Sequence, residues 1–360
     1  EGRDRFFLDP GHMSPMLYSV LALSGKFTLD ELQQFRQWGS VTPGHPEVDV
    51  MRGIENTSGP LGQGHTYAVG AAIAAKFLKA RLGEEVMNQT IYAYISDGGI
   101  QEEISQGAGR IAGTLGLDNL IMFYDANNVQ LSTKVEDVDA ENVATKYEAW
   151  GWKVIQINGN DVNEIRKALK EAKAEISKPT LIIGNTVMGK GAVGADNSCY
   201  ENKVSTHGQP LSAAGASIAD TIKNLGGDPE HPFAILPEVA ELYAKRTKEL
   251  EVIVAERYAV KDVWAKAHPD LAAKMEQWFS GKAPQIDWAA IEQKANQATR
   301  AASATVLGVL ATHVENMIVA SADLSNSDKT DGFLKKTHAF VKGDFSGAFF
   351  PAGVAELSMA

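Results

Sequence analysis

The stretches Ile95-Ser96-Asp97-Gly98-Gly99 and Tyr124-Asp125-Ala126-Asn127-Asn128-Val129 decide how this chain is read. Each closes a short apolar run, residues 91–95 and 119–124, and each supplies a hard oxygen donor. Asp97 and Asn127 lie 30 residues apart, room for one strand-helix-strand unit. A right-handed parallel crossover sets the ends of both strands side by side at the carboxyl edge of the sheet. A carboxylate and an amide oxygen meeting there make half of an octahedral Mg²⁺ or Ca²⁺ site, of the kind that leaves positions open for phosphate oxygens. The spacing alone equally allows Asp97 to cap a helix starting near Gln101 and Asn127 to sit in a turn.

Working outward, residues 1–190 alternate strand and helix signals. The pattern predicts helices over 13–23, 63–82, 101–115, 140–150 and 161–176, with strands over 91–95, 119–124, 152–157 and 180–187. That alternation predicts an α/β fold, a doubly wound parallel sheet with ligands bound at the carboxyl ends of its strands. The alanine-rich helix over 63–82 is expected to pack closely on a neighbour. Residues 188–216 are a long glycine-containing loop, a feature that is usually functional or mobile in a compact domain. Residues 217–283 read as helical and charged. A second apolar unit begins near residue 289, with a helix over 289–314 and strands over 317–322 and 348–350. The expected division is 1–216, a diphosphate and metal-binding domain; 217–288, a helical connection; and 289–360, the truncated start of a second α/β domain. The chain opens at Glu1 rather than methionine and stops at Ala360 in what reads as the first turn of a helix, so a fragment of a longer polypeptide is expected.

Composition narrows the function classes. The chain has 360 residues, 44% hydrophobic and 22% charged, with ample material for a core. The 34 basic and 45 acidic residues leave a net charge of −11, which argues against nucleic acid and anionic membranes as partners. The single cysteine, Cys199, excludes an internal disulfide framework and fits a reducing cytoplasm. No apolar run approaches the ~20 residues of a membrane span.

The Asp-Gly pair followed about thirty residues later by Asn-Asn resembles the thiamin-diphosphate fingerprint, in which metal and diphosphate bind together. Three further segments make the chain similar to transketolases: Thr42-Pro43-Gly44-His45-Pro46-Glu47, Gly59-Pro60-Leu61-Gly62-Gln63-Gly64 and Ser205-Thr206-His207-Gly208. The order and separation of these motifs follow that family along essentially the whole chain. The resemblance implies reversible transfer of a two-carbon ketol group from a ketose phosphate to an aldose phosphate through a thiamin-bound dihydroxyethyl intermediate, in a homodimer with its site between subunits. Related thiamin enzymes, a deoxyxylulose-phosphate or dihydroxyacetone synthase, and a non-catalytic diphosphate-binding module are the alternatives.

The same resemblance assigns residues. Asp97, Asn127 and Val129 would hold the metal, and Gly98 would meet the cofactor beside them. Gly59 and Leu61 would hold the aminopyrimidine through their backbone, in a glycine-rich turn opening a helix that favours anions. His45 would hold the first-carbon hydroxyl, while His12 and His207 would bridge diphosphate and substrate hydroxyls; imidazole suits proton transfer near neutrality. Glu356 would hydrogen-bond the aminopyrimidine's far nitrogen, a task best served when burial raises a carboxyl pKa. Arg300 and Ser327 would grip the sugar phosphate, and Glu102 would sit at the subunit contact. The other five histidines, His65 among them, read as surface or structural. Three departures stand out: Ala355-Glu356-Leu357 replaces the family's Arg-Glu-His, Ser96 replaces a glycine, and residues 190–204 do not follow the usual loop.

Overall fold

The computed structural model describes residues 2–207 and 210–360; Glu1, Gly208 and Gln209 lie outside the described residues, including the final position of the Ser205-Thr206-His207-Gly208 motif. Five strands, β1 (Arg5–Leu8), β2 (Ile91–Ser96), β3 (Leu120–Ala126), β4 (Lys153–Asn158) and β5 (Thr180–Asn185), form one sheet. They are parallel throughout, in the order β1-β2-β3-β5-β4. Ser96 pairs with Asp125 and Ala126 with Asn185, so the last residues of the three central strands reach the same edge.

Period-two alternation divides the strand residues between two cores, as expected for a parallel sheet covered on both faces. Leu120, Met122 and Tyr124 join Leu181 and Ile183 on one face; Ile121 and Ile182 join Ala168 and Ala172 on the other. The helices follow the connections: α1 (Ser14–Leu23), α2 (Leu29–Gln33), α3 (Gln63–Leu82), α4 (Asp97–Gln101), α5 (Glu103–Leu115), α6 (Val143–Ala149) and α7 (Val162–Lys173). Helix α3 coincides with the expected 63–82, and its Ala68 and Ala72 are wholly buried against the sheet and α5. The expected helix over 101–115 is α5, which starts two residues later at Glu103; the short α4 precedes it, and Glu102 (φ −58°, ψ 137°) leaves the helical conformation between them.

Beyond them come α8 (Ile218–Asn224), α9 (Pro237–Ala267) and α10 (Pro269–Phe279). Trp264 of α9 and Met275 of α10 pack on Leu82 and Met87. Helix α11 (Thr299–His313) starts ten residues later than expected; Gln293 and Gln297 hold the preceding stretch in a side-chain hydrogen-bonded loop. It is followed by β6 (Val319–Ser321), α12 (Ser325–Asp328), α13 (Asp331–Leu334), β7 (Phe349–Pro351) and α14 (Glu356–Met359). Strands β6 and β7 pair in parallel as a second, two-stranded sheet. Phe340, Phe345 and Phe349 carry this unit onto Phe77 of α3. Among the described residues no helix is long and apolar enough to cross a membrane.

Candidate active site

The carboxyl ends of β1, β2, β3 and β5 bring the sequence motifs to one edge. Asp97 is the first residue of α4; Ser96 caps that helix in extended conformation (φ −113°), its Oγ accepting the Gly99 N–H at 3.4 Å. Serine is therefore sterically ordinary at this position, while the helix that spacing alone allowed Asp97 to cap, α5, has Glu102 at its N-cap and no side-chain cap hydrogen bond. The Asp97 Oδ1 accepts from the Tyr124 hydroxyl at 2.6 Å, and its Oδ2 accepts the backbone N–H of Asn127 and Asn128 at 3.2 and 3.1 Å. Burial raises the Asp97 pKa, with Asp125 adding to it and these hydrogen bonds opposing. The Asn127 Oδ1 accepts from the Val129 N–H at 3.0 Å, and through the Asn127 N–H this segment meets the Asp97 carboxylate, with the Val129 carbonyl two residues along the chain. Three hard oxygens of this kind suit Mg²⁺ or Ca²⁺. Among the described residues no cluster of three His, Cys, Asp or Glu side chains could hold a metal ion; the set here depends on an amide and a carbonyl.

The turn over 59–64 is wedged against this edge. Gly59 and Gly62 have φ of 148° and 81°, and Gly62 is walled by Glu102 and Ile104: a Cβ there would lie 2.9 Å from the Glu102 Cβ. Gly98 faces the Leu61 side chain, 2.8 Å from where its own Cβ would stand. Gly64 abuts the backbone of Asp9, 2.5 Å from the same hypothetical atom. The assigned cofactor positions Gly59, Leu61 and Gly98 thus share one small volume.

Three histidines from three loops converge beside it. His12 lies 4.9 Å from His207 between ring centroids. His45, exposed, places its ring against Gly11 and Gly59. His207 Nδ1 lies 3.0 Å from the Val129 carbonyl oxygen. Burial, then the neighbouring charges of His207 and His45, lowers the His12 pKa to about 4, with Asp125 opposing. Burial also lowers that of His207.

Asp125, which sequence reasoning passed over, ties the edge together. Its carboxylate accepts from the Tyr94 hydroxyl of β2 at 2.8 Å and from the Thr186 hydroxyl after β5. A lone aspartate inside a motif read for its asparagine gave no signal of that role. The loop over 190–204 is held by the Val193–Cys199 bridge and by Glu201, which accepts the Gly191 N–H at 2.7 Å.

The remaining positions stand apart. Arg300 on α11 donates to the Ser327 carbonyl oxygen at 3.3 Å, so the two expected phosphate contacts are neighbours. Glu356 begins α14 and is exposed, not buried as its expected task would favour. Helix α14 instead packs on α5, where Ser358 donates to the Ile104 carbonyl at 3.0 Å. Glu102 is likewise exposed.

Residues 1–284 match the family model "Transketolase, thiamine diphosphate binding domain". The chain is 38% identical to a transketolase of Geobacillus stearothermophilus over 99% of its own length and 53% of that protein's. Among solved structures, the transketolase of Leishmania mexicana superposes with a TM-score of 0.93 at 32% identity, over 99% of this chain and 53% of that one. A Pichia stipitis transketolase in complex with sedoheptulose 7-phosphate gives 0.90 at 33% identity, again over 99% and 53%. The chain therefore spans about half the length of these relatives. With the glycine turn, the oxygen-bearing strand edge and the histidine cluster in the same fold as those relatives, the chain belongs to the transketolase family.

Proposed function

We propose that this chain carries the thiamin-diphosphate and Mg²⁺ half-site of a transketolase, a transferase moving a two-carbon ketol group between a ketose phosphate and an aldose phosphate. The observation that carries this reading is the convergence of His12, His45 and His207 beside the Asp97, Asn127 and Val129 oxygens. The donor set fits a hard divalent cation, with Ca²⁺ as the substitute. The turn carrying Gly59 and Leu61, with Gly98 beside it, fits a cofactor that needs close backbone approach.

When bound, thiamin diphosphate supplies the carbanion chemistry itself. The chain's part is to hold, orient and move protons. Asp97, Asn127 and Val129 would hold the cation. His12, kept neutral chiefly by burial, can accept a proton from a substrate hydroxyl. His207 and His45 border the same volume and would hold neighbouring hydroxyls. The guanidinium of Arg300 and the hydroxyl of Ser327, adjacent and exposed, would grip the sugar phosphate.

Glu356 is assigned the hydrogen bond to the aminopyrimidine, and Glu102 the subunit contact. Both are exposed in the chain alone, which supports a homodimer in which these faces meet a second subunit. For the same reason, and because the chain spans about half its relatives, the chain alone is proposed to bind cofactor and turn over little. The division at residues 216 and 288 and a cytoplasmic location belong to the same reading.

Calorimetric titration with thiamin diphosphate, with and without Mg²⁺, tests it. Metal-dependent binding that disappears in Asp97→Ala supports the half-site, and ketol transfer is then measured on the full-length enzyme. Absence of metal-dependent binding in the full-length polypeptide would overturn the reading.

A further inference from the structure

Asp9, His65 and Tyr147 come from the end of β1, the first turn of α3 and α6, and are 0%, 0% and 1% exposed. The Asp9 Oδ1 accepts the His65 backbone N–H at 3.3 Å, and the N–H groups of Gly62 and Gly64 also face the carboxylate. Its Oδ2 presses on Gly99 and makes no hydrogen bond to a protein group. The same is true of both ring nitrogens of His65 and of the Tyr147 hydroxyl. The imidazole and phenol rings lie nearly parallel, 19° and 6.3 Å apart, and the Asp9 charge acts on the Tyr147 hydroxyl. Four unmet polar atoms therefore belong to three neighbouring, fully buried side chains, with Asp9 and His65 at the start of α3.

Native cores seldom leave such groups unmatched, and clustering makes chance burial a poor account of them. Burial lowers the His65 pKa to about 3, so its ring is neutral and offers one N–H and one lone pair. Tyr147 offers one O–H and an accepting oxygen, and the Asp9 oxygen accepts. A water molecule, with two donors and two acceptors, complements that set.

We infer that Asp9, His65 and Tyr147 enclose an internal hydration site, in which at least one water bridges the carboxylate, imidazole and phenol at the base of the 59–64 turn. The turn is then anchored by a polar network reaching from β1 to α6, in addition to apolar packing.

A high-resolution crystal structure of the protein tests this, together with the variants His65→Leu, Tyr147→Phe and their combination. The expected density is a water within hydrogen-bonding distance of at least two of the three side chains. Each single variant strips the water of a partner and lowers Tm, while the double variant loses less than the two shifts added together. A dry site, side chains bonded directly to one another, or strictly additive Tm losses would each overturn the proposal. Tyr147→Phe removes only a hydroxyl and keeps the fold measurable if His65→Leu does not. These readouts need neither cofactor nor turnover, so the site stands or falls separately from the proposed activity.

Discussion

The imidazole of His12 faces that of His207 at 4.9 Å and 36°, one from the loop after β1 and the other from the loop after β5. Two cations cannot share that spacing in a partly buried setting without mutual cost. With His12 lowered from 6.5 to about 4, the folded protein binds fewer protons than the unfolded chain between those values. Its stabilising contribution is complete above pH 6.5 and is lost as pH falls through about 4. In histidine-labelled protein, NMR should show the His12 ring neutral at pH 6. Replacing its neighbour, His207→Asn, should move the His12 midpoint upward; an unmoved midpoint would remove the like-charge account.

Asp9 titrates in the opposite sense. Burial, with Glu102 adding to it, raises its pKa from 3.8 to about 6 against the backbone N–H groups at the start of α3. The folded state holds this proton more tightly, so its contribution is complete below pH 3.8 and is lost as pH rises through about 6. Asp9→Asn removes that dependence. The stability difference between variant and parent should shift toward the variant as pH rises from about 4 to 7, by up to ~1.4 kcal/mol per unit of pKa displacement. Urea denaturation at both pH values decides it, and a difference independent of pH would refute the assignment.

Much of the architecture was legible because strand and helix periods are local properties. The run before Asp97 has its alternate residues Ile91, Ala93 and Ile95 buried, and α3 spans the predicted residues. The short helix α4 ahead of α5 was hidden, since nothing local marks a separate helical turn over 97–101; the contact of Gly62 on Glu102 and Ile104 beside it is tertiary. The late start of α11 was hidden differently: the side-chain hydrogen bonds of Gln293 and Gln297 that hold the preceding loop are local but leave no periodic signal. In the site, residues flanked by glycine announced themselves, whereas Asp125 and His65 did not. His65 lies on the buried face of an alanine-rich helix, and only the fold reveals the Tyr147 ring of α6 stacked beside it. Conversely, Glu356 was named from its motif alone, and its exposure depends on packing that no motif reports.

Two glycines beside the turn over 59–64 should respond differently to one added methyl group. At Gly98 the obstacle is the tip of the Leu61 side chain, which can rotate away. At Gly64 it is the Asp9 backbone, 2.5 and 2.7 Å from the new atom, which cannot yield without parting β1 from α3. Gly64→Ala should therefore destabilise by about 1–3 kcal/mol and weaken thiamin-diphosphate binding at least tenfold, with Gly98→Ala much closer to the parent. Paired calorimetric and thermal measurements check the order; equal losses in both variants would contradict the packing argument.

Arg81, near the end of α3, fastens the second sheet to the first. It donates through Nε to the Glu315 carbonyl at 3.1 Å and through Nη2 to the Gly347 carbonyl at 3.0 Å. Nη1 reaches the Phe345 carbonyl at 3.3 Å, and the guanidinium carbon stacks 3.5 Å from the Phe77 ring centroid. Charge-assisted hydrogen bonds of this kind contribute about 1.5–3 kcal/mol. Arg81→Ala should accordingly lower stability by about 3 kcal/mol. Lysine cannot reproduce a planar fork spread over four carbonyls, Phe77 included, so Arg81→Lys should recover less than half of that loss. Hydrogen exchange locates the effect: amides of 345–349 should lose protection while those of Ile91–Ser96 keep theirs. Uniform loss across both sheets would mean that Arg81 supports the whole core and not the junction.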